Sequence, residues 1–141
     1  MGISKGSAHW NGTLKEGKGG MKPAHASEAP FSLTTRFEGE RGSNPEELIG
    51  AALSGCFSMA LTGALERAGG KPTSVRTSAD VQLEKQATGW VITTILLSTE
   101  AAVAGLDAVR FQAIAEETKK TCPVSKALGG VVITLDAKLA S

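Results

Sequence analysis

Hydrophobic and polar positions alternate over residues 31–38 (FSLTTRFE). Phe31, Leu33, Thr35 and Phe37 interleave with Ser32, Thr34, Arg36 and Glu38, a two-residue period that predicts a strand. Residues 8–16 (AHWNGTLKE) predict another. The intervening GKGGMKPAHASEAP is rich in glycine and proline and predicts a loop with room for one short strand. ERGSNP supplies turn chemistry, and NPEE then starts a helix: Asn44 as N-cap, Pro45 first and Glu47 third, where a capping carboxylate belongs. This helix can run to about Ala68, where Gly69, Gly70 and Pro72 stop it. Strands follow at about 73–85 and 90–100, with a turn around ATG. A helix fits Asp107–Lys120, with Phe111, Ile114 and Ala115 as its inner face. Cys122 and Pro123 open a short helix, and VVITLDAKL forms a last strand. The order predicts an α+β protein with mainly antiparallel sheet, folded as a single domain over residues 1–141.

The segment that decides the architecture is GAALSGCFSMAL at residues 50–61. Leu48 to Leu65 contains no charge over eighteen residues, which touches the length of a membrane span. Gly50, Ser54, Gly55, Ser58, Thr62 and Gly63 dilute its hydrophobicity, so a helix buried on every side within a protein is the better expectation. A chain of this size has few strands with which to wrap such a helix. A homodimer in which two copies of the helix pack together solves the problem. Ser54, Ser58 and Thr62 form one narrow stripe, and Gly55, Met59 and Gly63 a neighbouring face that permits close helix–helix approach.

Composition narrows the function classes. A net charge of +1 gives no electrostatic reason to expect nucleic acid or an anionic membrane as partner. Two cysteines are too few for a secreted disulfide scaffold, and MGISKGSAHWNG lacks the apolar stretch of a signal peptide. A soluble protein of the cytoplasm is the expectation.

Cys56 lies mid-helix, far from the N-terminal dipole that acidifies thiols elsewhere, so a reactive Cys56 needs a cation from another segment. Arg36, just before the loop that leads into the helix, is the best-placed candidate; pairing with Glu38 or Glu40 on the surface would equally explain it. Glu46 could orient such an arginine, although a favourable charge in the first helical turn explains its presence as well. Ten residues separate Glu46 from Cys56, about 15 Å along a straight helix. Either the helix breaks or the carboxylate and the thiol meet across a dimer interface. Cys122, at a helix start, has the better intrinsic electrostatics. Two thiols at such different addresses suggest that one attacks and the other resolves.

TRFEGERGSNPEELIGAALSGCFSMAL, followed downstream by CPVSKAL, resembles the OsmC branch of the OsmC/Ohr family of peroxide-reducing proteins. AHWNGTLKEGKG, ADVQLEK and VVITLDAKL carry the same resemblance. The resemblance implies an intertwined α+β homodimer with active sites at the subunit interface. It implies reduction of organic hydroperoxides and hydrogen peroxide without metal, flavin or other bound cofactor. By motif, Cys56 would be the peroxidatic nucleophile, Cys122 the resolving thiol, Arg36 the cation and Glu46 the carboxylate that holds it. An external dithiol, on this resemblance the lipoyl group of a protein, would recycle the Cys56–Cys122 disulfide in oxidative or osmotic stress defence. The competing readings are a metal- or ligand-binding module using Cys56, Cys122, His9 and His25, and a non-catalytic stress-associated protein with structural cysteines. The cysteines and histidines lack the close spacing of a zinc site.

Overall fold

The computed structural model describes residues 2–140, which fall into two compact units, Met1–Leu48 and Ile49–Ser141. In the first unit, β1 (Gly6–Asn11), β2 (Lys18–Pro23) and β3 (Ala29–Phe31) form an antiparallel meander in that order. Gly19 sits opposite both Trp10 and Phe31, and the two rings meet edge to face at 5.4 Å. A Cβ at Gly19 would lie 2.7 Å from the Phe31 ring and 2.8 Å from Trp10, so only glycine lets the rings close over the central strand.

The strand expected over 31–38 is a three-residue strand followed by a short helix, α1 (Leu33–Phe37). Local hydrogen bonding overrides the two-residue period. Ser32 Oγ accepts from the Thr35 amide while Thr35 Oγ1 accepts from the Ser32 amide, at 3.3 and 2.9 Å, a reciprocal capping box that fixes one helical turn. The first strand is also shorter than expected, ending at Asn11 because Gly12 turns the chain at φ 100°.

The long helix α2 (Pro45–Arg67) begins where the sequence predicts: Asn44 Oδ1 accepts from the Glu47 amide at 2.8 Å. It ends in a Schellman motif, with Gly69 at φ 92°, the Gly70 amide bonded to the Leu65 carbonyl at 2.9 Å and the Gly69 amide to Glu66 at 3.0 Å. Within the second unit, β4 (Lys71–Gln86) and β5 (Gly89–Ala104) form a long antiparallel hairpin, and β6 (Val132–Ala140) adds beside β5. The sheet is mixed, since β6 runs parallel to β5. A parallel return needs a crossover, which α3 (Ala108–Thr121) and α4 (Pro123–Ala127) provide.

The expectation that α2 is covered on every side is not met within the chain. Leu53, Phe57, Leu61 and Leu65, one turn apart, are fully buried in a core with Ile95, Leu97 and Ala101 of β5 and Phe111 and Ala115 of α3. The opposite face is open. Ala51, Ala52 and Gly55 are exposed, and Met59 is 82% exposed. One sheet and one further helix can cover only one stripe of a helix whose apolar character runs all round. By length and composition alone α2 is long and apolar enough to cross a membrane, and about a quarter of the residues in that apolar stretch are buried here.

Candidate active site

Cys56 occupies the middle of α2, between the buried Leu53–Phe57 stripe and the open face, and is half-buried. Cys122 is the C-cap of α3 and the N-cap of α4. Its amide closes α3 on the Thr118 carbonyl at 3.0 Å, and its carbonyl accepts the first bond of α4 from Lys126 at 3.0 Å. Pro123 enforces the break: proline disfavours helical backbone in the residue before it, and Cys122 is extended at ψ 129°. The break turns the Cys122 side chain inward, leaving it 1% exposed. Its Sγ lies 2.7 Å from Sγ of Cys56, across 66 residues of sequence, and both thiols are free.

The two sulfurs are electrostatically unlike. Burial pushes the Cys56 thiol up, and the hydrogen bond and charge of Cys122 push it further, against a smaller opposing pull from the Val124 amide. Burial also works against ionising Cys122. There it is outweighed by the hydrogen bond from Cys56, the amide and hydroxyl of Ser125 and the amide of Val124, which together hold the thiol below its ordinary value. Cys122 is therefore the more acidic partner, and among the described residues of this unit no cation acts on Cys56.

Arg36 and Glu46 form a second pair, built entirely in the first unit. Arg36 is in the last turn of α1, not on a strand as expected. Its Nη2 donates to Glu46 Oε1 at 2.6 Å, and its Nε to both carboxylate oxygens at 3.1 and 3.2 Å. The Glu46 side chain is 8% exposed and that of Arg36 34%, so the carboxylate is the fixed element and the guanidinium keeps an open edge. The guanidinium also stacks over the Phe37 ring at 5.0 Å. Beside it lies a cavity of about 200 Å³ walled by Trp10, Leu14, Phe31, Leu33 and Phe37, an apolar recess with one cation at its edge.

His9 pairs with Glu28 at 3.5 Å. Among the described residues no group of three or more His, Cys, Asp or Glu side chains is arranged to hold a metal ion. One residue at the thiol pair escaped the sequence motifs. Ser125 is 7% exposed, and its Oγ is wholly enclosed with no partner at full hydrogen-bonding geometry. The available signal was its spacing, since the third residue of a helix faces the cap.

The model of the family described as OsmC-like protein matches residues 37–136. Peroxiredoxin OsmC of Escherichia coli (strain K12) is 50% identical over 139 residues, covering 97% of this chain and 96% of the relative. The chain belongs to the OsmC family. The Shigella flexneri Peroxiredoxin OsmC matches to the same extent. Solved structures share the fold at lower identity. The OsmC like protein from Mycoplasma pneumoniae superposes with a TM-score of 0.77 at 12% identity, covering 99% of both chains. The organic hydroperoxide resistance protein OsmC from Legionella pneumophila gives 0.72 at 20% identity, covering 98% of this chain and 99% of that one. The OsmC family match covers Glu46, Cys56 and Cys122 and begins one residue after Arg36.

Proposed function

We propose that this chain is a cysteine-based peroxidase that reduces organic hydroperoxides and hydrogen peroxide. The observation that carries the reading is the 2.7 Å approach of Cys56 and Cys122, two free thiols poised to become a disulfide. The 50% identity to a protein named Peroxiredoxin OsmC supports it.

The Cys56 thiolate attacks the distal peroxide oxygen. The O–O bond breaks, the leaving oxygen takes a proton to become alcohol or water, and Cys56 is left as a sulfenic acid. The Cys122 thiolate then attacks the Cys56 sulfur and expels hydroxide, which is protonated to water, and the disulfide protects Cys56 from further oxidation. Arg36 stabilises the Cys56 thiolate and the charge growing on the leaving oxygen, and Glu46 fixes the guanidinium for that task. The apolar recess beside Arg36 suits the alkyl part of an organic hydroperoxide.

The active assembly in this reading is an intertwined homodimer, with the whole chain acting as one family domain. Two observations support the dimer. The open apolar face of α2 is unmatched within the chain. The helix is also unbroken from Pro45 to Arg67, which leaves a site shared between two copies as the arrangement compatible with the spacing of Glu46 and Cys56. An external dithiol of the lipoyl class resets the enzyme in the cytoplasm.

Peroxide consumption with a dithiol reductant tests the reading. Cumene hydroperoxide and hydrogen peroxide should both be consumed, the former with the higher kcat/KM, and Cys56→Ser should abolish turnover. Consumption by Cys56→Ser at the parent rate overturns the proposal.

A further inference from the structure

The disulfide of the proposed cycle joins two unequal sulfurs. Cys56 is half-buried, whereas Cys122 is 1% exposed within its own chain. Association with a second copy can only enclose Cys122 further, so Cys56 is the sulfur left for an incoming thiolate. Nucleophilic attack on a disulfide also proceeds fastest when the sulfur that leaves belongs to the more acidic thiol. Access and leaving-group quality point the same way, because Cys122 is the thiol held below its ordinary value.

Ser125 gives the leaving sulfur a specific partner. Its hydroxyl is enclosed with no partner at full hydrogen-bonding geometry, an arrangement that buried hydroxyls rarely keep, and the one group it bears on is the Cys122 thiol. It stands three residues after Cys122, the third position of the helix that Cys122 caps, from which a side chain reaches back to the cap. A neutral thiol is a poor acceptor, and a disulfide sulfur poorer still. A thiolate is a strong acceptor, and a hydroxyl with no other bond is free to rotate toward it.

Resting on the peroxidase reading above, we propose that the reducing dithiol attacks Cys56, that Cys122 departs as the thiolate, and that the Ser125 hydroxyl is the donor that receives it. The reductant's first thiolate forms a bond to the Cys56 sulfur as the Cys56–Cys122 bond breaks, and its electron pair goes to Cys122. The reductant's second thiol, after losing its proton, attacks the mixed disulfide and releases the Cys56 thiolate. The reductant leaves oxidised by two electrons, and the protein holds two reduced cysteines. Ser125 is a positioning residue: it acts through Cys122 and touches no substrate.

The experiment starts from full-length protein treated with one equivalent of hydrogen peroxide, with intact mass confirming loss of two hydrogens. Failure to form the disulfide would sink the peroxidase reading and this proposal together. The oxidised protein is then reacted with the monothiol glutathione and acid-quenched, and the adduct is located by peptide mass spectrometry. The adduct is expected on Cys56 with Cys122 free; an adduct on Cys122 overturns the proposal while leaving the peroxidase reading intact. Ser125→Ala should slow reduction by dihydrolipoamide about tenfold more than it slows the first oxidation by peroxide, and Ser125→Thr should recover most of the loss. In a Cys56→Ser background, thiolate absorbance should show Cys122 titrating at higher pH in Ser125→Ala than in Ser125→Thr. Equal titration in the two variants removes Ser125 from the proposal. If Ser125→Ala does not fold, the adduct map on the parent protein and the Ser125→Thr rates still decide it.

Discussion

The Arg36 guanidinium grips the Glu46 carboxylate through two nitrogens, with Nη2 at 2.6 Å and Nε at 3.1 and 3.2 Å from its oxygens. A charged pair of this geometry fixes the plane of the guanidinium as well as its position. The capping box of α1 holds one partner and the first turn of α2 the other.

Glu46→Gln should leave the fold intact and release that orientation. The amide removes one charge and one of the acceptors, and hydrogen bonds to charged groups contribute about 1.5–3 kcal/mol. If Arg36 stabilises the reacting oxygens, kcat/KM for cumene hydroperoxide should fall about 10–100-fold. Arg36→Lys should not substitute for the native residue, because an ammonium is a point charge without the fork. Steady-state kinetics alongside far-ultraviolet circular dichroism checks both variants; unchanged kcat/KM in Glu46→Gln removes the carboxylate from the site.

Asn44 sets where α2 begins, and through that the position of Glu46 two residues on. Asn44→Ala should cost about 1 kcal/mol from the lost cap, and Asn44→Ser or Asn44→Asp should cost little. For a chain of this size the loss corresponds to a fall in Tm of about 3 °C. Differential scanning calorimetry reads it directly.

The contrast between Asn44 and Ser32 explains which parts of the fold were legible. Both are caps, but Asn44-Pro45-Glu46-Glu47 announces itself with proline and acids in the first turn. Ser32 is answered by Thr35, whose neighbours also alternate like a strand, and the two-residue period masks a single helical turn. The strands of the β4–β5 hairpin were legible because alternation persists through them. The direction of β6 was not, since a strand's own residues carry no mark of whether its neighbour runs parallel. In α2 the four-residue spacing of Leu53, Phe57, Leu61 and Leu65 was present in the sequence, hidden by the alanines, glycines and Met59 on the other side. The thiol pairing could come only from resemblance, because its 66-residue separation leaves no local trace. Ser125 bears on that pair through Cys122, and a lone serine in a short helix carries no chemistry by itself.

Cys122→Ala should change the pH dependence of the first oxidation in a direction that the pair fixes. Burial raises the Cys56 thiol, and the Cys122 hydrogen bond and charge raise it further. Removing Cys122 deletes the latter two, so the Cys56 pKa falls and more thiolate is present at any pH below it. The acid limb of the single-turnover peroxide rate should therefore move to lower pH, and the rate near neutrality should rise. Turnover should stop after one equivalent, and excess peroxide should carry Cys56 to sulfinic acid, visible by mass. A limb that moves to higher pH contradicts the electrostatic account of the pair.

Met59 tests the dimer without touching the chain's own core. It is 82% exposed on the open face of α2, and Gly55, one turn earlier, has nothing within 4 Å of where a Cβ would stand. A lysine at position 59 would therefore be tolerated by the isolated chain, where surface substitutions rarely shift stability by more than about 0.5 kcal/mol. In a dimer that packs α2 against its copy, the same change buries two unpaired ammonium groups beside each other, since a twofold axis presents every substitution twice. Met59→Lys should therefore sediment as a monomer at concentrations where the parent is a dimer, with its circular dichroism preserved. Its peroxidase activity should fall with the dimer fraction and recover as concentration restores association. A monomeric Met59→Lys with full kcat/KM in dilute solution would show that one chain holds the whole site.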